Sequence, residues 1–220
     1  LSIENNAKMI DPGFESLTNE KKEVICKEVS KLKNISKNKK IKFLDYGSGY
    51  NPVLINDVIN KLTNKYKKSS FEAYCYDFYN KNHIKYLNKK KNIIFKKINN
   101  LNDKKNFDFC LIIDVLHHIG LDNDEKIFKL IKKLKSKSKF LIIKDHFQYG
   151  FFSNKLLIVM DLFSNYGDGT KIPKIYFSTK SFKKFIIKNK LNEIKRINNR
   201  KYYKWYWPFV NSSKIQFISI

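Results

Sequence analysis

The chain is 220 residues long, enough for one domain with a sizeable core, and its 42% hydrophobic content is ordinary for a globular protein. No run of about 18 apolar residues occurs, so no transmembrane segment is expected; the most apolar stretch, residues 151–163, is interrupted by Ser153, Asn154, Lys155 and Asp161. The formal net charge of +25 invites a nucleic-acid partner, but of 45 basic residues only Arg196 and Arg200 are arginine, the side chain suited to bidentate phosphate and base contacts. Lysine is spread along the whole length, so a solvated basic surface is preferred to a selected nucleic-acid footprint.

Cys26, Cys75 and Cys110 have no metal-binding spacing and sit among apolar residues, which predicts reduced core thiols and a cytoplasmic protein. The chain starts at Leu1 rather than methionine, which suggests a trimmed start, and Glu4 and Asn5 stand where a signal peptide would have its apolar core.

In chain order, residues 1–17 have no clear period and contain the turn signal Asp11-Pro12-Gly13, so they are expected to form an arm or lid. A helix is expected from a cap at Thr18 or Asn19, burying Val24, Ile25, Val29 and Leu32. Next comes the central segment, Ile41-Lys42-Phe43-Leu44-Asp45-Tyr46-Gly47-Ser48-Gly49. It reads as a buried strand that ends in an acid and breaks into a glycine loop. After Pro52, the spacing of Val53, Leu54, Ile55, Val58, Ile59 and Leu62 predicts a helix. Strand, glycine loop and helix in this order make a nucleotide-type pocket at the carboxyl end of the first strand.

Residues 71–76 predict a second strand that delivers Asp77, where an acid can accept hydrogen bonds from both hydroxyls of a ribose; a plain turn aspartate is the alternative. Residues 92–97 predict a third strand, followed by a loop with Asn99 and Asn100, and residues 107–114 a fourth strand ending at Asp114. Val115-Leu116-His117-His118-Ile119 leads into a helix. The histidines serve either chemistry or capping and packing, and with no third ligand type beside them in sequence no metal site is expected.

A helix over 124–136 and a fifth strand over 140–143 follow, the strand delivering Lys144-Asp145-His146 to the crevice that holds the glycine loop. Further helices are expected over 153–163 and from Ser178 or Thr179, with Phe182, Phe185, Ile186 and Ile187 apolar. Strands are expected over 193–197 and 215–220. Between those strands the aromatic run 202–209 is either a wall of the substrate site or an edge-strand packing device.

Asp45-Tyr46-Gly47-Ser48-Gly49 resembles the D-x-G-x-G signature of class I S-adenosylmethionine-dependent methyltransferases, with Asn51 where a third glycine is common. The resemblance extends from about residue 40 onward and includes the Phe107-Asp108 opening and the Leu116-His117 step of the fourth-strand segment. It is nearest to the small-molecule, type 11/12-like members. It implies a single α/β domain over 1–220, with a three-layer Rossmann-like fold and a seven-stranded, mostly parallel sheet whose last strand is antiparallel. Residues 1–40 would be an N-terminal arm and helix, and 150–180 an insertion covering the acceptor.

It also implies S-adenosyl-L-methionine as cofactor, with Asp45, Gly47, Ser48, Gly49, Asp77, Phe78, Asn99, Asn100, Asp114 and Val115 around it. The acceptor would be a small molecule, or a lipid or sugar precursor. For an oxygen acceptor, His146 or Asp145 is the expected base, with His117 next and Tyr176 orienting. The alternatives are an RNA methyltransferase and a catalytically inactive, partner-binding subunit. No oligomeric state follows from the sequence.

Overall fold

A strand that is apolar at nearly every position needs cover on both faces, and the computed structural model builds a sheet that meets this demand. It describes residues 12–32, 40–49, 52–77, 93–98, 101, 106–121, 124–165, 170–199 and 212–219. Among them seven strands form one sheet: β1 (Lys40–Tyr46), β2 (Ser70–Tyr76), β3 (Ile93–Lys97), β4 (Phe107–Ile113), β5 (Ser138–Phe147), β6 (Asn192–Asn199) and β7 (Ser212–Ser219). Their order is β3-β2-β1-β4-β5-β7-β6. Strands β1 to β5 pair in parallel, while β7 runs antiparallel to both β5 and β6. From β1 the chain winds outward first to β2 and β3, then on the other side to β4 and β5. The switch point where a doubly wound sheet opens a ligand crevice therefore lies between β1 and β4.

Alternating side chains of the inner strands feed two separate cores. On one face Phe43, Phe71, Phe109, Leu111 and Ile142 pack against α1 (Pro12–Leu32) through Ile25 and Val29, and against α2 (Val53–Lys65) through Ile55, Val58, Ile59 and Leu62. On the other, Leu44, Cys110, Ile112, Leu141 and Ile143 meet Leu116 of α3 (Leu116–Gly120), Ile127, Ile131 and Leu134 of α4 (Asp124–Lys135), and Phe182 and Phe185 of α6 (Thr179–Lys188). Phe43, Phe109 and Phe140 stack as a ladder across β1, β4 and β5, with centroids 5.3 Å apart at both steps. All three cysteines are buried and free.

Several boundaries differ from the sequence expectation. The first helix opens at Pro12, six residues before the anticipated cap at Thr18, because a proline whose fixed φ suits the first helical position starts a helix as readily as it marks a turn. Residues 1–11 lie outside the described set, as does the aromatic run 202–209. Strand β5 is ten residues long and carries Lys144, Asp145 and His146 inside it, not beyond its end. Antiparallel pairing with β7, up to Phe147 opposite Ser212, supplies backbone partners that the apolar run 140–143 did not reveal. Ser178 caps α6 through a reciprocal bond with Ser181, as its position suggested. Helix α5 (Phe151–Ser164) lies within the anticipated insertion, and no described helix is long and apolar enough to cross a membrane.

The loop after β1 is held by its own backbone, with the N–H groups of Gly47 and Ser48 both donating to the Tyr76 carbonyl at 2.8 and 3.1 Å. Gly47 sits at φ +76°, and a Cβ placed there would stand 2.4 Å from Cγ2 of Val115. Both the left-handed backbone and the close approach require glycine. Replacing Gly47 by alanine is expected to lower the melting temperature by roughly 5–15 °C, from about 2–4 kcal/mol of backbone strain and overpacking. Adding Val115→Ala should return the overpacking share only, which thermal melts of the single and double variants would resolve.

Candidate active site

The carboxyl ends of β1, β2, β4 and β5 bring together Asp45, Asp77, Asp114, Lys144, Asp145 and His146. At the tip of β2 the Asp77 carboxylate accepts the Gly49 N–H at 2.8 Å, so the acid anticipated on the second strand and the anticipated glycine loop are one unit. Gly49 has φ +67°, and a Cβ added there would meet nothing within 4 Å, which leaves the loop's outer surface open to a ligand. Ser48 Oγ donates to the Tyr76 carbonyl at 3.4 Å. Beneath the loop Asp45 is buried. Burial first, and then the neighbouring Asp77 charge, push its carboxyl up to about 7.

Asp114 ends β4 in a left-handed turn, at φ +56°, and gathers two ammonium groups and an imidazole. Lys144 of β5 bonds its Oδ1, Lys21 of α1 lies 3.3 Å from Oδ2, and His146 Nε2 is 3.4 Å from Oδ1. Burial alone would raise its pKa, but the attraction of Lys144 and then Lys21 outweighs it and holds the carboxyl well below its ordinary range. His146 is driven the other way. Burial, then the Lys144 ammonium, push it down to about 3, so its imidazole is neutral at physiological pH.

Asp145, fully buried, points to the opposite face of β5 from Lys144 and His146, as strand alternation demands. It accepts from His117 Nδ1 at 2.5 Å, from the His117 main-chain N–H at 3.3 Å and from the His146 N–H at 2.7 Å. Burial opposes the charged form of His117, yet the Asp145 charge and hydrogen bond overcome it and raise its pKa. The Tyr176 ring lies 5.0 Å from that of His117, and its hydroxyl donates to the Leu157 carbonyl at 3.1 Å.

Of the residues the sequence pointed to, Asp45, Gly47, Ser48, Gly49, Asp77, Asp114 and Val115 line one edge of the sheet, and His117, Asp145, His146 and Tyr176 stand beside them on β5 and the segments that follow β4 and α5. Phe78, Asn99 and Asn100, expected around an adenine, lie outside the described residues. Three residues at the site were not among the expected site residues: Lys21, Lys144 and Asp161. Lys144 had a signal, since a lysine inside an otherwise apolar strand must be buried with a counter-ion. Asp161, the acid that interrupts the apolar helix α5, brings a carboxylate against the histidine pair: its Oδ2 is 3.5 Å from His118 Nδ1 and 3.9 Å from His117 Nε2. A cavity of about 160 Å³ lined by Leu121, Ile127, Ile175, Tyr176, Phe177 and Phe185 opens against α4 and α6, shares Tyr176 with the site and touches none of the glycine-loop residues.

No family model and no curated protein sequence matches the chain. Solved structures do. Magnesium protoporphyrin IX methyltransferase (ChlM) from Synechocystis PCC 6803, solved with SAH bound, matches with a TM-score of 0.58 and 13% identity over 96% of this chain and 88% of that one. The mitomycin 7-O-methyltransferase MmcR matches at 0.55 and 11% identity, over 82% of this chain and 49% of that one. A pericyclic reaction enzyme matches at 0.54 and 12% identity, over 83% and 44%. The chain spans about half the length of the last two proteins. It has the fold of the class I S-adenosylmethionine-dependent methyltransferases, α/β and Rossmann-like.

The raised pKa of Asp45 makes a signed prediction. A carboxyl whose folded pKa lies above its unfolded value of about 3.9 favours the folded state while protonated and loses that advantage as pH rises toward the folded value near 7. Asp45→Asn removes this titration. Its stability relative to the parent is therefore expected to be constant below about pH 4 and to improve steadily up to about pH 7, by on the order of a few kcal/mol, in chemical denaturation across that range.

Proposed function

We propose that the chain transfers methyl groups from S-adenosyl-L-methionine to a small-molecule acceptor. The observation that carries this reading is the coupling of Asp77 to Gly49: one hydrogen bond places a carboxylate beside an open, glycine-walled backbone at the switch point of the sheet. In this arrangement the Asp77 carboxylate binds the ribose hydroxyls, and Gly47, Ser48 and Gly49 let the ligand approach main chain without side-chain interference. Asp45 supports the loop from below, Asp114 and Val115 border the methionine portion, and Phe78, Asn99 and Asn100 are assigned to the adenine. The cofactor supplies a methyl already activated on a sulfonium, so the chain's share of catalysis is alignment of the acceptor and exclusion of water.

For an oxygen acceptor His146 is the residue placed to receive the proton. Its side chain is only partly buried and its backbone is fixed by Asp145, while burial and Lys144, which hold its pKa near 3, make it a weak base whose contribution rests on position. Asp145, saturated by three donors, positions His117 and His146 rather than acting as base. Tyr176, its hydroxyl committed to Leu157, shapes the wall. The acceptor is best read as apolar or lipid-like. Helix α5, which carries Asp161 and Leu157 to the site, leaves Phe151, Phe152, Leu156, Val159, Leu162 and Phe163 exposed on its outer side.

Calorimetric titration with S-adenosylhomocysteine tests the reading. Binding in the micromolar range, about −8 kcal/mol, is expected for the parent, and Asp77→Ala should weaken it by at least tenfold, the loss of one or two hydrogen bonds to a charged group. A folded parent that gives no binding heat at several temperatures would end the assignment.

A further inference from the structure

We propose that His117, His118 and Asp161 form a binding site for one divalent transition-metal ion of the zinc class. The three residues arrive from two places in the chain, the histidines on the short helix after β4 and the aspartate from the last turn of α5. One ligand atom from each lies within 4.8 Å of the other two. Asp161 Oδ2 stands 3.5 Å from His118 Nδ1 and 3.9 Å from His117 Nε2. Two ligands on a tetrahedral zinc with bonds of about 2.0–2.2 Å are roughly 3.3–3.5 Å apart, so small side-chain rotations close the set.

The site is also electrostatically incomplete. Asp161 Oδ1 accepts from Asn165, but Oδ2 is buried and accepts no hydrogen bond, a cost that a positive partner would remove. The Tyr176 hydroxyl donates to the Leu157 carbonyl at 3.1 Å, and burial first and then the nearby Asp161 carboxylate raise its pKa. A proton on His117 Nε2 does not fill the gap, because 3.9 Å is too long for a hydrogen bond.

The surroundings supply the orientation that a histidine ligand needs. Asp145 receives His117 Nδ1–H at 2.5 Å and so leaves the Nε2 lone pair facing Asp161, the carboxylate–histidine–metal arrangement. His118 Nδ1 lies 3.0 Å from the Lys171 carbonyl and donates to it when it carries the proton. Ligation through Nδ1 transfers that proton to Nε2 and exchanges the hydrogen bond for the metal bond. Two imidazoles and one carboxylate suit zinc, cobalt or iron(II) and not the all-oxygen preferences of calcium or magnesium, and three protein ligands leave a coordination position open. An ion here would tie α5 to the end of β4. The assignment stands independently of methyl transfer and of whether S-adenosylmethionine binds.

The test uses the whole chain, stripped with a chelator and titrated with zinc sulfate by calorimetry and with cobalt(II) by absorption. One ion per chain is expected, with the intense visible bands of tetrahedral cobalt and a zinc-dependent rise in melting temperature. Asp161→Asn and His118→Gln, which keep side-chain size, should each weaken zinc at least tenfold. Asp145→Asn, which leaves all three ligands in place, should weaken it by roughly tenfold through His117. The proposal is overturned if the folded parent binds neither ion, or if Asp161→Asn and His118→Gln, shown by circular dichroism to be folded, bind zinc as the parent does.

Discussion

Burial of the inner strands on both faces is the constraint from which the rest of the molecule follows. Phe43, Phe109 and Ile142 point to one core and Leu44, Cys110 and Ile143 to the other, so a polar side chain within the sheet needs a partner, as Glu72 has in Tyr74 and Lys40. Polar groups that the chain must carry collect at the carboxyl ends of the strands. There the backbone leaves the ladder, and loops, lysines and histidines can reach them. The crevice is what a two-sided core leaves over at its edge.

At that edge the acids are treated in three different ways. Asp114 is over-compensated by Lys144 and Lys21 and stays ionised. Asp145 is matched by a single histidine and two main-chain donors and acts as a fixed post between α3 and β5. Asp45 has Asp77 as its charged neighbour and sits near neutrality in its titration. A cationic ligand arriving over Gly49 would relieve the Asp45–Asp77 repulsion, which gives the pocket an electrostatic preference that matches a sulfonium.

Much of this was legible in the sequence because the informative residues are local. Residues 41–49 hold strand, acid and glycines within nine positions, and the periods of α2, α4 and α6 survive intact. What the sequence hid is non-local. The extension of β5 through His146 depends on β7, some seventy residues later. The start of α1 at Pro12 inverted a turn signal. Asp161 looked like an interruption of an apolar helix, and its meaning appears only when α5 folds back against His117 and His118, more than forty residues earlier in the chain. The paired histidines have no third ligand type beside them in sequence, whereas in space Asp161 brings a carboxylate within 4.8 Å of both.

The central claim is that the ligand lies over Gly49 with its ribose on Asp77, and a crystal structure of the chain with S-adenosylhomocysteine bound tests it most directly. The account predicts both ribose hydroxyls within hydrogen-bonding distance of the Asp77 carboxylate, with the homocysteine portion directed toward Asp114. A ligand seated elsewhere, for instance in the cavity between α4 and α6, with the Gly47–Ser48–Gly49 loop untouched, would contradict it.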